Sequence, residues 1–289
     1  MQHHDRSNTG VRDSSRLKDL SLTPNGEHLF RIGGILKDAG SRIEALRRGV
    51  NLQESECMHS AKADGSIVTN ADLLSSELIS LSIREIYGDV ILLNEEDEKS
   101  FERFTKRAAH ESAWILDPLD NTRGYVQGRD DYSLLLTHII GSEVQDAFIA
   151  QPACDSLIQA HAGYGSYRNH LPIRVSQQSS FDSARCLGVY TFESFTQRVI
   201  DGPSESTEAL VAVACGDVDI AVIKMCGHKI WDVAFASLLV SEAGGCVSDD
   251  KGSPLSLHEL APSFEWIIAT NGRLHPAALK WFAETIGMR

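Results

Sequence analysis

No run of about 18 uncharged apolar residues occurs in the 289 positions, so no membrane-spanning helix is expected. The polar stretch from Met1 to about Asn25 has no apolar h-region, which leaves no secretory signal to read; residues 1–25 are expected to form a flexible tail. Cationic excess is also missing. Lys and Arg number 27 against 40 Asp and Glu, and the net charge of −13 gives the backbone of a nucleic acid polymer no electrostatic hold. The six cysteines, Cys57, Cys154, Cys186, Cys215, Cys226 and Cys246, form no C-x-x-C pair. A chain of this length needs no covalent staples, so reduced thiols and a cytoplasmic setting are expected. G-x-S-x-G, H-E-x-x-H and a P-loop are absent, which removes three common hydrolytic plans. Gly163-Tyr164-Gly165 opens like a dinucleotide fingerprint but lacks its last glycine, and reads as a turn. No internal repeat is visible.

What is present suits a soluble globular protein of one large domain or two ordinary ones: 42% apolar and 23% charged residues. An acidic protein that handles an anionic substrate must invert its local field, and bound cations do so most directly. Apolar positions Leu29, Ile32, Leu36, Ala39, Ile43 and Leu46 predict an amphipathic helix over Glu27–Arg48. Leu52–Ala63 reads as a loop. Ile67-Val68-Thr69 is a brief strand, and Asn70 or Thr69 caps a helix running to about Tyr87. Val90–Leu93 is a short buried strand that ends in Asn94-Glu95-Glu96-Asp97-Glu98, and a charged linker follows to Ser112. Tyr132–Ile140 and Val144–Gln151 make a hairpin about Gly141-Ser142-Glu143, and Ser156–His161 is a further strand. Near Asn169–Pro172 the pattern changes to alternating strands and helices. Strands are expected at Ile173–Ser176, Cys186–Tyr190, Asp219–Met225 and Trp266–Thr270. Helices are expected at Phe192–Ile200, Thr207–Cys215, Val233–Ala243 (capped by Asp232 and stopped by Gly244-Gly245) and His275–Ile286.

The chain is organised around Trp114-Ile115-Leu116-Asp117-Pro118-Leu119-Asp120-Asn121-Thr122. Three bulky apolar residues predict a strand covered on both faces. Pro118 removes a ladder donor and biases Asp117 to extended geometry. Asp120 is placed to cap a short helical turn. Two carboxylates then converge beside free backbone N–H groups, an arrangement that suits a hard divalent cation and a phosphate. An ordinary turn with a capping aspartate would look the same in isolation. Asp72 in a first helical turn, Glu95 after a strand and Asp232 before a helix each carry a similar bland reading, as helix-start preference or a solvated acidic run.

Taken in order, these segments resemble the inositol monophosphatase superfamily of metal-dependent, lithium-sensitive phosphatases, its 3'(2'),5'-bisphosphate nucleotidase branch included. The residues that carry the resemblance are Lys62 with Asp64-Gly65-Ser66-Ile67-Val68-Thr69-Asn70-Ala71-Asp72, the pair Glu95-Glu96, Trp114–Thr122, and Trp231-Asp232 with the helix and Gly244-Gly245 behind it. It spans roughly Glu27 to the C-terminus. It implies an α/β fold, a layered α-β-α-β-α sandwich. An antiparallel N-terminal part (26–169) would hold most metal ligands, and an α/β C-terminal part (170–289) would carry Asp232 and substrate-binding elements. It implies two or three Mg²⁺ held by Glu95, Asp117, the Leu119 carbonyl, Asp120 and Asp232. Asp72, Thr122 and Glu95 would be catalytic, with Asp72 and Thr122 orienting and helping to deprotonate a water. The N–H groups of Asn121 and Thr122 would hold phosphate oxygens, and Lys62 would be an auxiliary charge. Asn121 stands where the family has glycine. The Thr122-Arg123-Gly124-Tyr125 segment and Lys229-Ile230-Trp231-Asp232 resemble the bisphosphate nucleotidases, and Arg123, Arg129 and Lys229 would meet a second phosphate. The expected partner is a small phosphorylated substrate, 3'-phosphoadenosine 5'-phosphate first. Inositol phosphate, histidinol phosphate and fructose 1,6-bisphosphate are alternatives, as is a phosphate-binding homologue of weak activity. Members of the family are often homodimers.

Overall fold

The computed structural model describes residues 26–49, 59–61, 67–189 and 205–285. Helix α1 (Gly26–Gly49) and helix α2 (Asn70–Tyr87) lie side by side. The Arg31–Glu85 ion pair (2.8 Å) and the His28–Tyr87 ring contact set the start of α1 against the end of α2. Gly33 and Gly40 do not weaken α1 as an isolated helix scale would suggest. They let it approach closely: a Cβ at Gly33 would lie 3.0 Å from Leu157 Cδ2, and one at Gly40 would lie 2.8 Å from Pro152 Cγ.

A seven-stranded sheet runs β3-β4-β5-β6-β7-β8-β9: Ile91–Asn94, Ser112–Asp120, Ser133–Ile140, Glu143–Gln151, Ser156–His161, Gly165–Arg168 and Leu171–Pro172. It is antiparallel except for the parallel pair β3/β4. A two-stranded ribbon, β1 (His59–Ala61) with β2 (Ile67–Thr69), precedes it, so the predicted Leu52–Ala63 loop contains a strand. Strands β10 (Cys186–Val189), β11 (Ile220–Lys224), β12 (Cys246–Asp249) and β13 (Trp266–Thr270) form a second sheet in the order β10-β11-β13-β12. The other α-helices among the described residues are α3 (Glu98–Thr105), α4 (Thr122–Val126), α5 (Ser206–Cys215), α6 (Ala236–Glu242) and α7 (His275–Thr285).

The alternation of side chains along β4–β6 sorts the core. Trp114, Leu116, Leu134, Leu136 and Phe148 face α1 and α2, while Ile115, Leu135, Ile139 and Ile149 face α5 and α6. The four-stranded sheet covers those helices from the far side, and its outer face packs on Leu274 and on Ala278 and Phe282 of α7. The layers are therefore α-β-α-β-α, as the resemblance implied.

Two expectations are corrected. Ile173–Ser176 is no ladder strand: the N–H of Ile173 bonds the carbonyl of Ser166, and that of Val175 bonds the carbonyl of Ala243, so this crossing segment divides its bonds between a strand and the end of α6. The linker expected up to Ser112 contains α3, capped by Asp97 and anchored by Phe104 alone among its apolar residues at full burial. The predicted tail over residues 1–25 and the predicted helix Phe192–Ile200 lie outside the described residues.

Gly245 is a tight point between the layers. A Cβ there would strike the Thr270 carbonyl oxygen and sit 2.6 Å from Val240 Cγ1. Gly245→Ala is expected to destabilise the protein by about 1–3 kcal/mol, as overpacking typically does. A thermal melt of the variant within error of wild type would contradict the tight packing.

Candidate active site

Strand β4 runs through Asp120, three residues past Asp117, where the strand was expected to end. Its register against β5 shifts between Asp117, opposite Leu135, and Asp120, opposite Ser133. That extra residue is a bulge, and Pro118, without an N–H, sits in it at no ladder cost. The bulge turns both carboxylates to one side. Asp117 is held by the Leu119 N–H on its Oδ1 at 3.0 Å. Because Asp120 remains in the ladder, the cap of α4 passes to Asn121, not to Asp120 as expected. Asn121 adopts the left-handed region, φ 59° and ψ 50°, which asparagine tolerates. Its Oδ1 accepts from the Gly124 N–H at 3.0 Å, and its Nδ2 donates to the Asp131 carbonyl at 2.7 Å. Both polar ends are thereby used within the turn. Gly124 makes room for them: a Cβ there would meet Asn121 Nδ2 at 2.5 Å.

Helix α2 delivers Asp72. Thr69 caps the helix, and Asp72 Oδ2 accepts from the Thr69 N–H at 2.7 Å, a capping box. Asp72 Oδ1 accepts from the Thr122 hydroxyl at 3.0 Å, and the Leu119 carbonyl lies 2.9 Å from the same hydroxyl. Ser75 Oγ donates to the Pro118 carbonyl at 2.8 Å and fixes α2 to the bulge. Glu95 follows β3, and its N–H reaches the Leu116 carbonyl at 3.2 Å, beside Asp117. The turn behind it is set by Asn94, whose amide donates to Ser76 Oγ (2.8 Å) and Ser80 Oγ (3.1 Å).

Asp232 ends a 3₁₀ turn, Ile230–Asp232, that packs on β4 and β5. It accepts from the Lys229 N–H at 2.7 Å. The predicted helix from Val233 begins later, at Ala236, so Asp232 does not cap α6; its carboxylate closes the 3₁₀ turn back onto the N–H of the turn's cap, Lys229. Carboxylate oxygens of Asp117, Asp120 and Asp232 all lie within 4.8 Å of one another.

This convergence is electrostatically costly. Burial raises Asp117 well above the usual carboxylate range, and Glu95, Asp120 and Asp232 push it further. Burial, then Asp120, do the same to Asp232. Asp120 is raised to about 7 by burial and by Glu205, Glu95 and Glu208. Asp72 is raised by burial, partly offset by its bonds from Thr69 and Thr122. A set of hard oxygen donors that repel one another is a good receptor for a hard divalent cation. The residues therefore fit the metal that the sequence implied.

The acids open into a cavity of about 500 Å³, lined also by Asn121, Thr122, Arg123, Arg129, Glu205 and His228. Arg129 bonds Asp131 Oδ1 at 3.1 Å, and Glu205 Oε1 lies 3.3 Å away. Lys229 is not among the lining residues, and its backbone N–H serves Asp232. Lys62 lies outside the described residues. The sequence missed Glu205, Ser206, Cys226 and His228, which line the opposite wall. Only Glu205-Ser206-Thr207-Glu208, a helix-start pattern, offered a signal.

The chain is similar to known proteins of one family. The model of the "Inositol monophosphatase family" matches residues 32–286. A "Fructose-1,6-bisphosphatase/inositol-1-monophosphatase" of Thermotoga maritima is 28% identical over 231 residues, 76% of this chain and 84% of the relative. A "3'(2'),5'-bisphosphate nucleotidase" of Haemophilus influenzae is 24% identical over 214 residues, 68% of this chain and 77% of the relative. In fold, a Thermotoga maritima IMPase superposes with a TM-score of 0.73 at 23% identity, covering 91% of this chain and 99% of that one.

The raised carboxyls give a stability signature in the metal-free protein. A carboxyl whose folded pKa exceeds its unfolded value binds more protons in the folded state, so stability falls as pH rises between the two values. For Asp120 that window runs from 3.8 to about 7. The Tm in a chelator is expected to fall from pH 5 to pH 8. Mg²⁺ should raise it more at pH 8 than at pH 5, and Asp117→Asn should raise the metal-free Tm at pH 8. A metal-free Tm that climbs across this window would refute the account.

Proposed function

The chain belongs to the inositol monophosphatase family, a family of metal-dependent phosphomonoesterases, and we propose that it hydrolyses a small metabolite carrying two phosphates. The preferred substrate is a 3'-phosphorylated nucleotide such as 3'-phosphoadenosine 5'-phosphate, leaving AMP. The observation that carries this reading is the pair Arg123 and Arg129 on the cavity wall beside the acid cluster. An arginine fork suits phosphate, and the acid cluster accounts for only one phosphoryl group. The nucleotidase of Haemophilus influenzae supports the same choice.

Glu95, Asp117, the Leu119 carbonyl, Asp120 and Asp232 are the residues that would hold Mg²⁺, two or three ions in a family site. When bound, Mg²⁺ neutralises the phosphoryl oxygens and lowers the pKa of water. The chain's own residues do the remainder. The N–H groups of Asn121 and Thr122 hold phosphate oxygens at the start of α4. Thr122 orients the attacking water through its hydroxyl, and Asp72, 3.0 Å from that hydroxyl, takes up the proton. Its raised pKa makes it a better base near neutrality than an exposed aspartate. Glu95 faces the same space and completes the anionic side of the site.

Phosphate release in Mg²⁺ should be fastest from 3'-phosphoadenosine 5'-phosphate in a panel with inositol 1-phosphate, fructose 1,6-bisphosphate and histidinol phosphate, and lithium should inhibit it. Inositol 1-phosphate turned over as fast would count against the second-phosphate reading. Asp117→Asn is expected to lower kcat by about 10³-fold, the scale of losing a main electrostatic group; turnover of no phosphate ester by the wild type would favour a binding role. Arg129→Ala should raise KM for the bisphosphate about tenfold, near 1.4 kcal/mol, and leave inositol 1-phosphate little changed. Equal effects on both would place Arg129 outside the second-phosphate contact.

A further inference from the structure

At the opposite end of β4 the structure holds a second chemical constellation that phosphate-ester hydrolysis does not use. Ser112 is the first residue of β4 and is exposed. Its Oγ lies 2.8 Å from His138 Nε2. His138 Nδ1 lies 2.9 Å from Asp146 Oδ2, and the other oxygen of Asp146 bonds His161 Nδ1 at 2.8 Å. The order nucleophile, base and orienting carboxylate is that of a serine hydrolase relay.

The geometry is firmly built. His138 pairs with Asp146 across β5/β6, and Asp146 pairs with His161 across β6/β7. The β5/β6 register shifts at His138/Ile139, a bulge of the kind that re-aims side chains beside active sites. Trp114 stacks on the His138 ring, centroids 4.6 Å apart and planes 19° off parallel, which fixes the ring plane. Burial pushes the Asp146 carboxyl up, but the bonds from His138 and His161 outweigh it and keep the group below its usual value. An ionised Asp146 accepts from Nδ1–H of both rings. With Nδ1 turned to Asp146, it is Nε2 of His138 that faces the Ser112 hydroxyl, the arrangement a general base requires. A purely structural row would be complete with His138, Asp146 and His161. It would give no reason for an exposed serine hydroxyl to sit on the remaining ring nitrogen.

Ser112 also borders a cavity of about 670 Å³ lined by Lys99, Arg103, Lys106 and Arg107 against three acids, Asp89, Glu102 and Glu111. Four cations against three acids is a local excess of one positive charge, in a chain whose net charge is −13. From Ser112 to Asp117 is five residues of strand, about 17 Å at ~3.4 Å each, so this place is separate from the acid cluster.

We propose that Ser112, activated by His138 and Asp146, is a nucleophile that takes the acyl group of an anionic carboxylic ester. Ser112 Oγ adds to the carbonyl carbon and its proton passes to His138 Nε2. The ester C–O bond breaks, and the departing alkoxide takes that proton and leaves as the alcohol. Water then adds to the acyl-serine through the same His138, releasing the carboxylic acid and restoring Ser112. Asp146 balances the imidazolium in both steps.

The test uses the intact protein, an alkyl fluorophosphonate as a probe of activated serines, and peptide mass spectrometry. Ser112 should be labelled faster than any other serine, and His138→Gln should slow that labelling about 100-fold, the scale of general-base catalysis. Hydrolysis of mono-p-nitrophenyl succinate should exceed that of neutral p-nitrophenyl acetate and vanish in Ser112→Ala. That variant should keep full Mg²⁺-dependent phosphatase activity, which shows it folded. Labelling of Ser112 no faster than of other exposed serines, or unchanged in a His138→Gln protein of wild-type melting temperature, overturns the proposal. Equal rates on the two esters overturn its anionic substrate class.

Discussion

The constraint on which the structure depends is the repulsion among carboxylates that it buries together. Asp117 is 2% exposed and within reach of Asp120 and Asp232, with Glu95 adding to the repulsion. Elsewhere the fold treats a buried acid differently. Glu44 is paired with Arg47 and Arg48 and bonded by the Tyr132 hydroxyl. Asp146 has two histidines, and Asp219 has Arg185. Among the described residues no salt bridge reaches Asp72, Asp117, Asp120 or Asp232. Three of these four are held by neutral backbone N–H groups, from Thr69, Leu119 and Lys229. Such donors aim a carboxylate without cancelling its charge. A cluster that served stability alone would carry its own cations, since unpaired buried charge is expensive. Among the described residues none supplies the cancelling charge, which suits a cation bound from solution.

The rest of the fold braces that arrangement. Ser75 fastens α2 to the Pro118 carbonyl, and Tyr125 fastens α4 to the Ile43 carbonyl of α1. Arg47 at the end of α1 bonds the Arg129 carbonyl and Asp130, so the loop that carries Arg129 is tied to the first helix. Asn121 shows how a departure from the family glycine is absorbed. Its left-handed backbone costs asparagine less than most residues, and its side chain fills the space over Gly124 instead of reaching for a ligand. Residues 121 and 124 act as a pair: asparagine at the first position demands glycine at the second.

Much of this was legible because the strongest signals are local. A bulky run into Asp-Pro specifies a buried strand with an interrupted ladder whatever it packs on, and Thr69 with Asp72 specifies a cap within four residues. The exact caps of α4 and the 3₁₀ turn were not legible, since Asp120 and Asp232 compete with Asn121 and Lys229 for the same geometry and the ladder decides. Helix α3 was hidden because Phe101 and Phe104 are its only large apolar residues and charge dominates the rest. β8 and β9 were hidden because Gly165-Ser166-Tyr167-Arg168 and Leu171-Pro172 carry little apolar alternation; Leu171, on the edge strand, is 70% exposed. The far wall of the cavity had no local signature beyond the helix-start pattern at Glu205-Ser206-Thr207-Glu208. Glu205 and His228 reach it only through the docking of the second sheet and its helices.

On the proposed reading, that far wall decides between substrates. Glu205 stands opposite Arg129 and would repel a second phosphate if it acted alone. The Arg129–Glu205 contact, 3.3 Å between side chains 42% and 20% exposed, is a partly solvated pair, the kind worth roughly 0–1 kcal/mol. A dianion offers the guanidinium two short, charge-assisted bonds instead. The exchange therefore favours the phosphate over Glu205, whereas a neutral polyol offers no such gain and leaves the pair closed. Under the proposed function, the same wall would admit a bisphosphate and be indifferent to a monophosphate, and the discrimination would lie in how readily Arg129 leaves Glu205.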